Sequence, residues 1–547
     1  MQIVVPMSGF GERFRRAGYS TPKPLIEVEN KPIIQHVIEM FPGDQEFIFV
    51  CNQEHLENKT FKLFETLNRL APSSRIIGIE PHKRGPVHAV LKSLHELDLD
   101  SEIIVNYADF TCMWNFAEFA RRMKSLKADG GVPAYKGFHP HSAGTTNYAY
   151  IHERNGQILG IREKQPFTEN KVEEFASSGT YFFKSGHLMK HYLTETIEKN
   201  VSVNGEFYVS SSLDLMAAAG MNVQVHEIRH FMQWGTPEDL NEYLFWSDAL
   251  KQLSRQEKKS LPINGIGSSI ILASGRGERF RQAGYAVEKP LLRVSGATLL
   301  EQISKSSMEV PTVLTVSNSQ ASKWVGRRFS KFRKVETEQI TSGQAMSAKL
   351  AIDYLNPEEN LGFTIFPCDS LFASTTGPIA DQQNLDPTLT VWVARPSSFS
   401  LKHPESFSWI QGGKSEVLYA LKSKPYFENA LIMTGAFSFS SKDVFNLLYG
   451  ATLAKGHKIN GELYLDSFVE VASDLNVKVC LFEPDFSLAL GTPYEFETFR
   501  YWQACFDQWS SHPYSLETDP FVDLGNLEVI RHDLSVTKHS PAEWKVE

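Results

Sequence analysis

The segment Ser8-Gly9-Phe10-Gly11-Glu12-Arg13-Phe14 returns near the middle of the chain as Ser274-Gly275-Arg276-Gly277-Glu278-Arg279-Phe280. Each copy is followed by Ala-Gly-Tyr and then, at unchanged spacing, by Lys-Pro-Leu: Lys23-Pro24-Leu25 in the first and Lys289-Pro290-Leu291 in the second. A short apolar run precedes each copy, Ile3-Val4-Val5 and Ile270-Ile271-Leu272. One unit of strand, glycine loop and basic segment therefore occurs twice. Such self-similarity means two related domains of roughly 250 residues, fewer than chain length alone suggests. The expected division is a first domain over 1–258, a linker over 259–265, a second domain over 266–510 and a tail or docking segment over 511–547.

Within each half, strand and helix patterns alternate. Ile3–Pro6, Glu46–Cys51, Ile76–Glu80 and Glu102–Tyr107 read as strands, with helices expected over Ile33–Met40, His55–Leu70 and Val87–Leu97. In the second half Ile270–Ala273, Pro311–Ser317 and Phe363–Pro367 read as strands and Ser347–Tyr354 as a helix. Alternation of this kind gives an α/β fold with a mostly parallel sheet and helices on both faces. The glycine loop then lies at the carboxyl end of the first strand, where open α/β sheets bind ligands. Pro237–Lys258 reads as one amphipathic helix, closed by a charged run and then by Pro262 and Gly265.

A composition of 42% apolar and 22% charged residues suits a globular protein with a sizeable core in each half. The net charge of −9 argues against a nucleic-acid partner, so phosphate binding has to be local. Five dispersed cysteines, with no Cys-x-x-Cys pair, read as buried thiols of a reducing compartment. No apolar run approaches the ~20 residues of a membrane span, and Met1 leads directly into a chemistry-bearing strand and loop. No membrane association is expected and the cytoplasm is the expected location. Oligomeric state is not legible, and a homo-oligomer is compatible with the sequence.

The loops carry the chemistry. Gly9 and Gly11, with Ser8, let the backbone approach phosphate oxygens and turn N–H groups toward them; Ser274, Gly275 and Gly277 repeat the arrangement. Arg13 and Arg279 supply a planar fork for the charge of departing phosphates, and Lys23 and Lys289 a compact charge for the α-phosphate or an incoming phosphate. A glycine-rich turn alone would be weak evidence; its recurrence with Lys-Pro-Leu favours phosphate binding, in the form of a nucleoside triphosphate, over a structural turn. Glu80 and Glu338 stand five residues before Gly85 and Gly343. A carboxylate there would accept from a cytosine amino group and repel uracil or thymine edges, a weak hint toward CTP. A solvated loop charge explains each Glu as well.

With these motifs in place, the chain resembles the nucleotidyltransferases that join a nucleoside triphosphate to a sugar 1-phosphate or similar phosphorylated small molecule. The pattern is most similar to the glucose-1-phosphate thymidylyltransferase-like group found with bacterial surface-polysaccharide genes. The resemblance covers nearly all of both halves and implies two tandem Rossmann-like (GT-A-type) domains. It also implies magnesium at Asp109, which ends Val105-Asn106-Tyr107-Ala108-Asp109, and at Asp369 in Pro367-Cys368-Asp369. Ile161-Arg162-Glu163-Lys164 resembles the family's Glu-Lys pair, with Glu163 on sugar hydroxyls and Lys164 on the acceptor phosphate. Gly179 and Gly435 mark the turn beside the sugar. Asn204-Gly205-Glu206 and Asn460-Gly461-Glu462 resemble the segment lining the acceptor pocket. Gly235-Thr236-Pro237 and Gly491-Thr492-Pro493 close the domains.

Two departures stand out. Many relatives place a second magnesium-binding Asp two residues before the closing Gly-Thr, where this chain has Gln233 and Ala489. The cation would then rest on one Asp, phosphate oxygens and water, or a shifted carboxylate would substitute. In the second half, Leu421-Lys422-Ser423-Lys424 is aligned with the Glu-Lys segment, which makes Lys424 the phosphate lysine and replaces Glu by Ser423. The halves are then expected to accept different molecules.

Bland readings compete. Asp109 and Asp369 would also serve as helix caps, and Lys164 and Lys424 as surface lysines. His139-Pro140 and His403-Pro404 lack metal-ligand spacing and read as loop or pocket-wall residues; Tyr181–Phe183 and Phe437–Phe439 read as core. Two rival functions remain. One makes the second half a nucleotide-binding regulatory module. The other is a metal-dependent glycosyltransferase, disfavoured because Asp-x-Asp is missing before Asp109 and Asp369.

Overall fold

A computed structural model describes residues 1–143, 148–255, 267–275, 277–306, 310–317, 332–337, 343–355, 362–378, 388–412, 417–456, 458–459 and 461–535. The chain forms two compact units, the first Met1–Leu244 and the second beginning at Phe245. Among the described residues, no helix is long and apolar enough to cross a membrane.

The first unit is built on strand Gln2–Met7, in which Ile3, Val4 and Val5 are fully buried. An apolar run with no polar face suits a strand covered on both sides. It pairs in parallel with Glu46–Asn52 on one side and Ile103–Asn106 on the other. Arg75–Ile79 extends the parallel part beyond Glu46–Asn52. Past Ile103–Asn106 the sheet continues through the antiparallel strand Thr180–Phe183 to the parallel pair Gly130–Tyr135 and Val223–Glu227, then to the antiparallel hairpin Ala149–Arg154/Gln157–Glu163, with Phe175–Ser177 at its edge. A mixed α/β sheet results, parallel where the glycine loop leaves it and antiparallel toward the Glu163 side.

The second unit repeats this order. Strand Ser268–Ala273 pairs in parallel with Thr312–Ser317 and Phe363–Pro367, and Leu431–Phe439 pairs antiparallel with Phe363–Pro367. Tyr181–Phe183 and Phe437–Phe439 are buried core residues, as their strand setting requires. Four of the five cysteines are buried and all are free thiols.

The helix expected over His55–Leu70 is two helices, Gln53–Glu57 and Leu63–Leu70. The Asn58 carboxamide accepts the Thr60 amide and Lys62 takes φ +51°, a turn that competes locally with helix. The helix expected over Pro237–Lys258 runs Pro237–Arg255, with its expected end and the whole 259–265 linker outside the described residues. After Trp509, where the sequence has no period, the described segment packs through Tyr514, Leu516 and Phe521 onto the second unit and ends in helix Leu527–Ser535. Its anchor is a buried network: Gln503 Nε2 donates to Ser295, Tyr514 and Asp519, and Tyr514 Oη donates to Asp519. Polar anchors of this kind leave no hydrophobic period to read.

Candidate active site

Each glycine loop connects the first strand of its unit to a single helical turn, Glu12–Arg16 or Glu278–Gln282. Gly11 and Gly277 cap those turns at φ +64° and +60°, a conformation that favours glycine. Lys-Pro-Leu forms one 3-10 turn in each unit, with proline where its fixed φ suits the turn. That turn brings Lys23 Nζ to 2.9 Å from Asp109 Oδ2. Lys289 makes the same ion pair with Asp369, and both pairs are half-buried. Burial opposes the charge on Lys289, but Asp369 outweighs it and its ammonium is held above the ordinary range.

In the first unit these residues line an open cleft of about 680 Å³ that also holds Ser8, Gly9, Gly11, Gly85 and Glu206. Ser8 Oγ lies 3.3 Å from His82 Nε2, and Ser274 Oγ 3.1 Å from Ser347 Oγ. Arg13 is exposed at the edge of the acceptor side of the cleft, and Arg279 is exposed at the matching place. Glu80 is exposed and outside the residues lining the cleft, while Glu338 and Asn460 lie outside the described residues.

Gly85 shapes the cleft floor. It has φ +83° and ψ 175°, and a β-carbon there would stand 2.6 Å from Phe207 O. Phe207 N donates to Arg84 O and Val87 N to Phe207 O, so this glycine lets the Asn204–Tyr208 segment lie against the Arg84–Val87 backbone. Gly343 meets Leu463 in the same way.

On the acceptor side Glu163 and Lys164 end strand Gln157–Glu163, and Lys164 sits at φ +60°. Lys164 Nζ donates to Tyr208 Oη at 2.7 Å, and Tyr208 Oη donates to Glu206. Ser210 Oγ donates to Glu163. Burial raises the Glu163 carboxyl, opposed by Ser210 and Lys164. Gly179, at φ +98°, receives Tyr107 N on its carbonyl and has room for no side chain against Tyr107 and Phe110. Asn204 also takes a left-handed turn, at φ +53°. Tyr208 closes the Asn204–Tyr208 motif, which assigns it no role of its own, and Ser210 and Tyr148 lie outside every motif; Tyr148 carries no sequence signal.

The second unit departs from the expected alignment. Ser423 and Lys424 are exposed, and Lys422, at φ +44°, stands over the Tyr464 ring at 5.5 Å as Lys164 stands over Tyr208 at 4.7 Å. The strand ends at Ala420, three residues before Ser423, which the alignment had matched with the strand-ending Glu163, and the lysine over the tyrosine ring is Lys422 and not Lys424. Glu462 lies beside Tyr464, and Gly435 repeats the left-handed turn at φ +81°.

The cation-binding expectation can be tested on the donors present. Gln233 is buried; its Nε2 donates to Asp239 Oδ1 at 2.8 Å, and its Oε1 has no hydrogen-bond partner. A β-carbon at Gly235 would be 3.2 Å from Asp109 Oδ2 and 3.9 Å from Asp239 Oδ2. At Gly491 it would be 3.0 Å from Asp369 Oδ2 and 3.8 Å from Glu495 Oε2. Oxygen donors around one glycine fit a hard cation such as magnesium. Among the described residues no group of three or more His, Cys, Asp or Glu could hold a metal, so phosphate and water would complete such a shell.

His139 and His141 pack against Phe231 and Tyr148, which line the cleft, and are not themselves among its lining residues. His139 Nε2 is 2.8 Å from Phe231 O, and the His141 ring packs 4.1 Å from both His139 and Tyr148. Burial lowers His139 to about 3, and burial, then His139 and Lys171, lowers His141. Both are neutral in the folded state, whereas the unfolded chain binds their protons near the ordinary 6.5. Stability is therefore complete above about pH 6.5 and falls on acidification below it, by about 1.4 kcal/mol per pH unit for each histidine, for His139 down to about 3. Urea unfolding of the full chain is expected to show the early loss between about pH 6.5 and about pH 5. His139→Gln should flatten it; equal slopes in both proteins would contradict this.

Two glycine loops on parallel strands, each closed by a Lys–Asp pair, define a phosphate-handling α/β protein. The chain belongs to the nucleotidyl transferase family, whose model matches residues 4–241 and 268–504. Mannose-1-phosphate guanylyltransferase catalytic subunit beta of Dictyostelium discoideum is 26% identical over 283 residues, covering 50% of this chain and 71% of that protein. The Xenopus tropicalis protein of the same description is 26% identical over 212 residues, so the chain spans 55% of its length. Among solved structures, a nucleoside-diphosphate-sugar pyrophosphorylase from Vibrio cholerae RC9 matches at 21% identity and TM-score 0.37, over 45% of this chain and 100% of that one.

Proposed function

We propose that the chain transfers a nucleotidyl group from a nucleoside triphosphate to a phosphorylated small molecule, of the sugar 1-phosphate kind, with release of pyrophosphate. The observation that carries the reading is the Lys23–Asp109 pair at the mouth of a glycine loop, repeated as Lys289–Asp369. The names of the relatives point to the same substrate class.

An oxygen of the acceptor phosphate bonds to the α-phosphorus. The bond from that phosphorus to the bridging α,β-oxygen breaks, and its electron pair leaves with pyrophosphate. The acceptor phosphate is already ionised, so no general base is needed; alignment and charge neutralisation carry the rate. The Gly9–Gly11 backbone cradles the triphosphate, Arg13 meets the departing charge, and Lys23 faces the α-phosphate. Lys164 holds the acceptor phosphate, and Glu163 and Glu206 accept from its hydroxyls. Asp109, with Asp239 also close to Gly235, would hold a divalent cation, which supplies further neutralisation of phosphate charge when bound. The same roles fall to Arg279, Lys289 and Asp369, which supports chemistry in both units over a purely regulatory second one.

The test is pyrophosphate release by the full chain with Mg²⁺, across CTP, UTP, dTTP, ATP and GTP, each with a panel of sugar 1-phosphates. Glu80, exposed outside the cleft, gives the CTP hint no support, so all five nucleotides are needed. Release of nucleoside diphosphate from an added nucleotide sugar, with no pyrophosphate formed from any of the triphosphates, would identify a glycosyltransferase and end this reading. A place in surface-polysaccharide synthesis rests on resemblance alone.

A further inference from the structure

Strand register relates the two acceptor sites residue by residue. Ala176, three residues before Gly179, pairs with Tyr150; Ile432, three before Gly435, pairs with Trp409. Across the hairpin Tyr150 faces Arg162 and Ala149 faces Glu163, while Trp409 faces Ala420. One residue further along, Leu421 takes the place of Glu163 and Ser408 that of Ala149. The next residue is Lys164 in one unit and Lys422 in the other, both left-handed and both over the Tyr that follows Asn-Gly-Glu. Two residues beyond that Tyr come Ser210 and Asp466.

Three positions have therefore changed together. Ala149, Glu163 and Ser210 become Ser408, Leu421 and Asp466. In the first unit the Ser210 hydroxyl donates to Glu163; in the second, the Ser408 hydroxyl donates to Asp466. The carboxylate has crossed from the pocket wall to the buried side of the site. Asp466 is 4% exposed and lies 3.8 Å from Lys422 Nζ, while Leu421 is partly buried against the core of the second unit.

The geometry points to a second acceptor site built on Lys422 and held by Asp466, which takes a phosphorylated molecule that offers no hydroxyl to the wall formed by Leu421. This rests on the nucleotidyltransferase reading for its chemistry but not for its lysine assignment. Lys422 contacts the phosphate, Asp466 positions that lysine through the ion pair, and Leu421 sets specificity. An apolar wall cannot hydrogen-bond a hydroxyl, whereas a wall carboxylate such as Glu163 penalises an acceptor lacking one.

The experiment is titration calorimetry of the full chain carrying Lys164→Ala, so that the first acceptor site is disabled. The probes are n-propyl phosphate, mannose 1-phosphate and the monodeoxy analogues of mannose 1-phosphate. The expected results are binding of propyl phosphate, a loss of about tenfold or more in Lys422→Ala, and no penalty for any single missing hydroxyl. Leu421→Glu should shift preference toward the fully hydroxylated sugar phosphate, and it keeps the Lys422–Asp466 pair should Lys422→Ala fail to fold. Asp466→Asn should weaken phosphate binding without creating hydroxyl preference.

Unchanged binding in folded Lys422→Ala, or loss in Lys424→Ala instead, overturns the proposal. So does the absence of any phosphate-ester binding in the Lys164→Ala chain, or a preference of about tenfold or more for a hydroxylated probe before Leu421 is changed. Pyrophosphate release by the unmodified chain is measured alongside. Its absence with the calorimetric pattern intact would sink the enzymatic reading and leave the Lys422 assignment standing.

Discussion

Lys23→Ala is expected to cut pyrophosphate release at the first unit by about two to three orders of magnitude, the usual effect of losing one charge aimed at a reacting phosphate. The residue is half-buried, and its ammonium is 2.9 Å from Asp109 Oδ2. Its removal takes a cation from the α-phosphate and leaves Asp109 without that counter-charge, so nucleotide affinity falls as well. Lys289→Ala should do the same at the second unit through Asp369. The two changes belong to separate units and should act independently; the double variant then loses both activities. Rates from the full chain, measured with each acceptor in turn, check this. Undiminished rates in both single variants would remove these lysines from the mechanism.

The largest structural effect is expected at Gly85. Its φ of +83° with ψ of 175° falls in a region that essentially only glycine occupies. A β-carbon there would lie 2.6 Å from Phe207 O and 2.7 Å from Phe207 N, both backbone atoms that cannot swing aside. Gly85→Ala should destabilise the first unit by about 3 kcal/mol or more, combining backbone strain and steric overlap. It should also displace Glu206 and Tyr208 and so weaken acceptor binding. Gly205→Ala is the control: its φ is +78°, but a β-carbon there meets nothing within 4 Å, so about 1 kcal/mol is expected. Denaturant unfolding of the two variants compares them directly. Equal losses would mean that the contact with Phe207 yields, and that Gly85 does not fix the approach of the two segments.

The repeat, the parallel start of each sheet and the glycine loops were legible in the sequence because each is local. Gly11 and Gly277 need a left-handed turn next to a strand end, Lys-Pro-Leu forms its own turn, and fully apolar runs mark strands covered on both faces. The Asn58–Lys62 break was misread because its side-chain turn competes with a helical period. The tail after Trp509 was opaque because buried polar groups, Gln503 with Tyr514 and Asp519, hold it in place.

Tertiary structure alone decided the acceptor sites. Which lysine stands over the tyrosine ring depends on hairpin register, which puts Lys422 there and not Lys424. The exchange of Glu163 for Asp466 joins residues far apart in the chain, brought together only when strand and helical turn pack. Gln233 reads in sequence as the loss of a ligand; in the fold it lines the same cleft as Asp109, with its Oε1 unpaired and its Nε2 bonded to Asp239. Local backbone preference writes loops and strands into the sequence. Register and packing between distant segments decide which side chains meet.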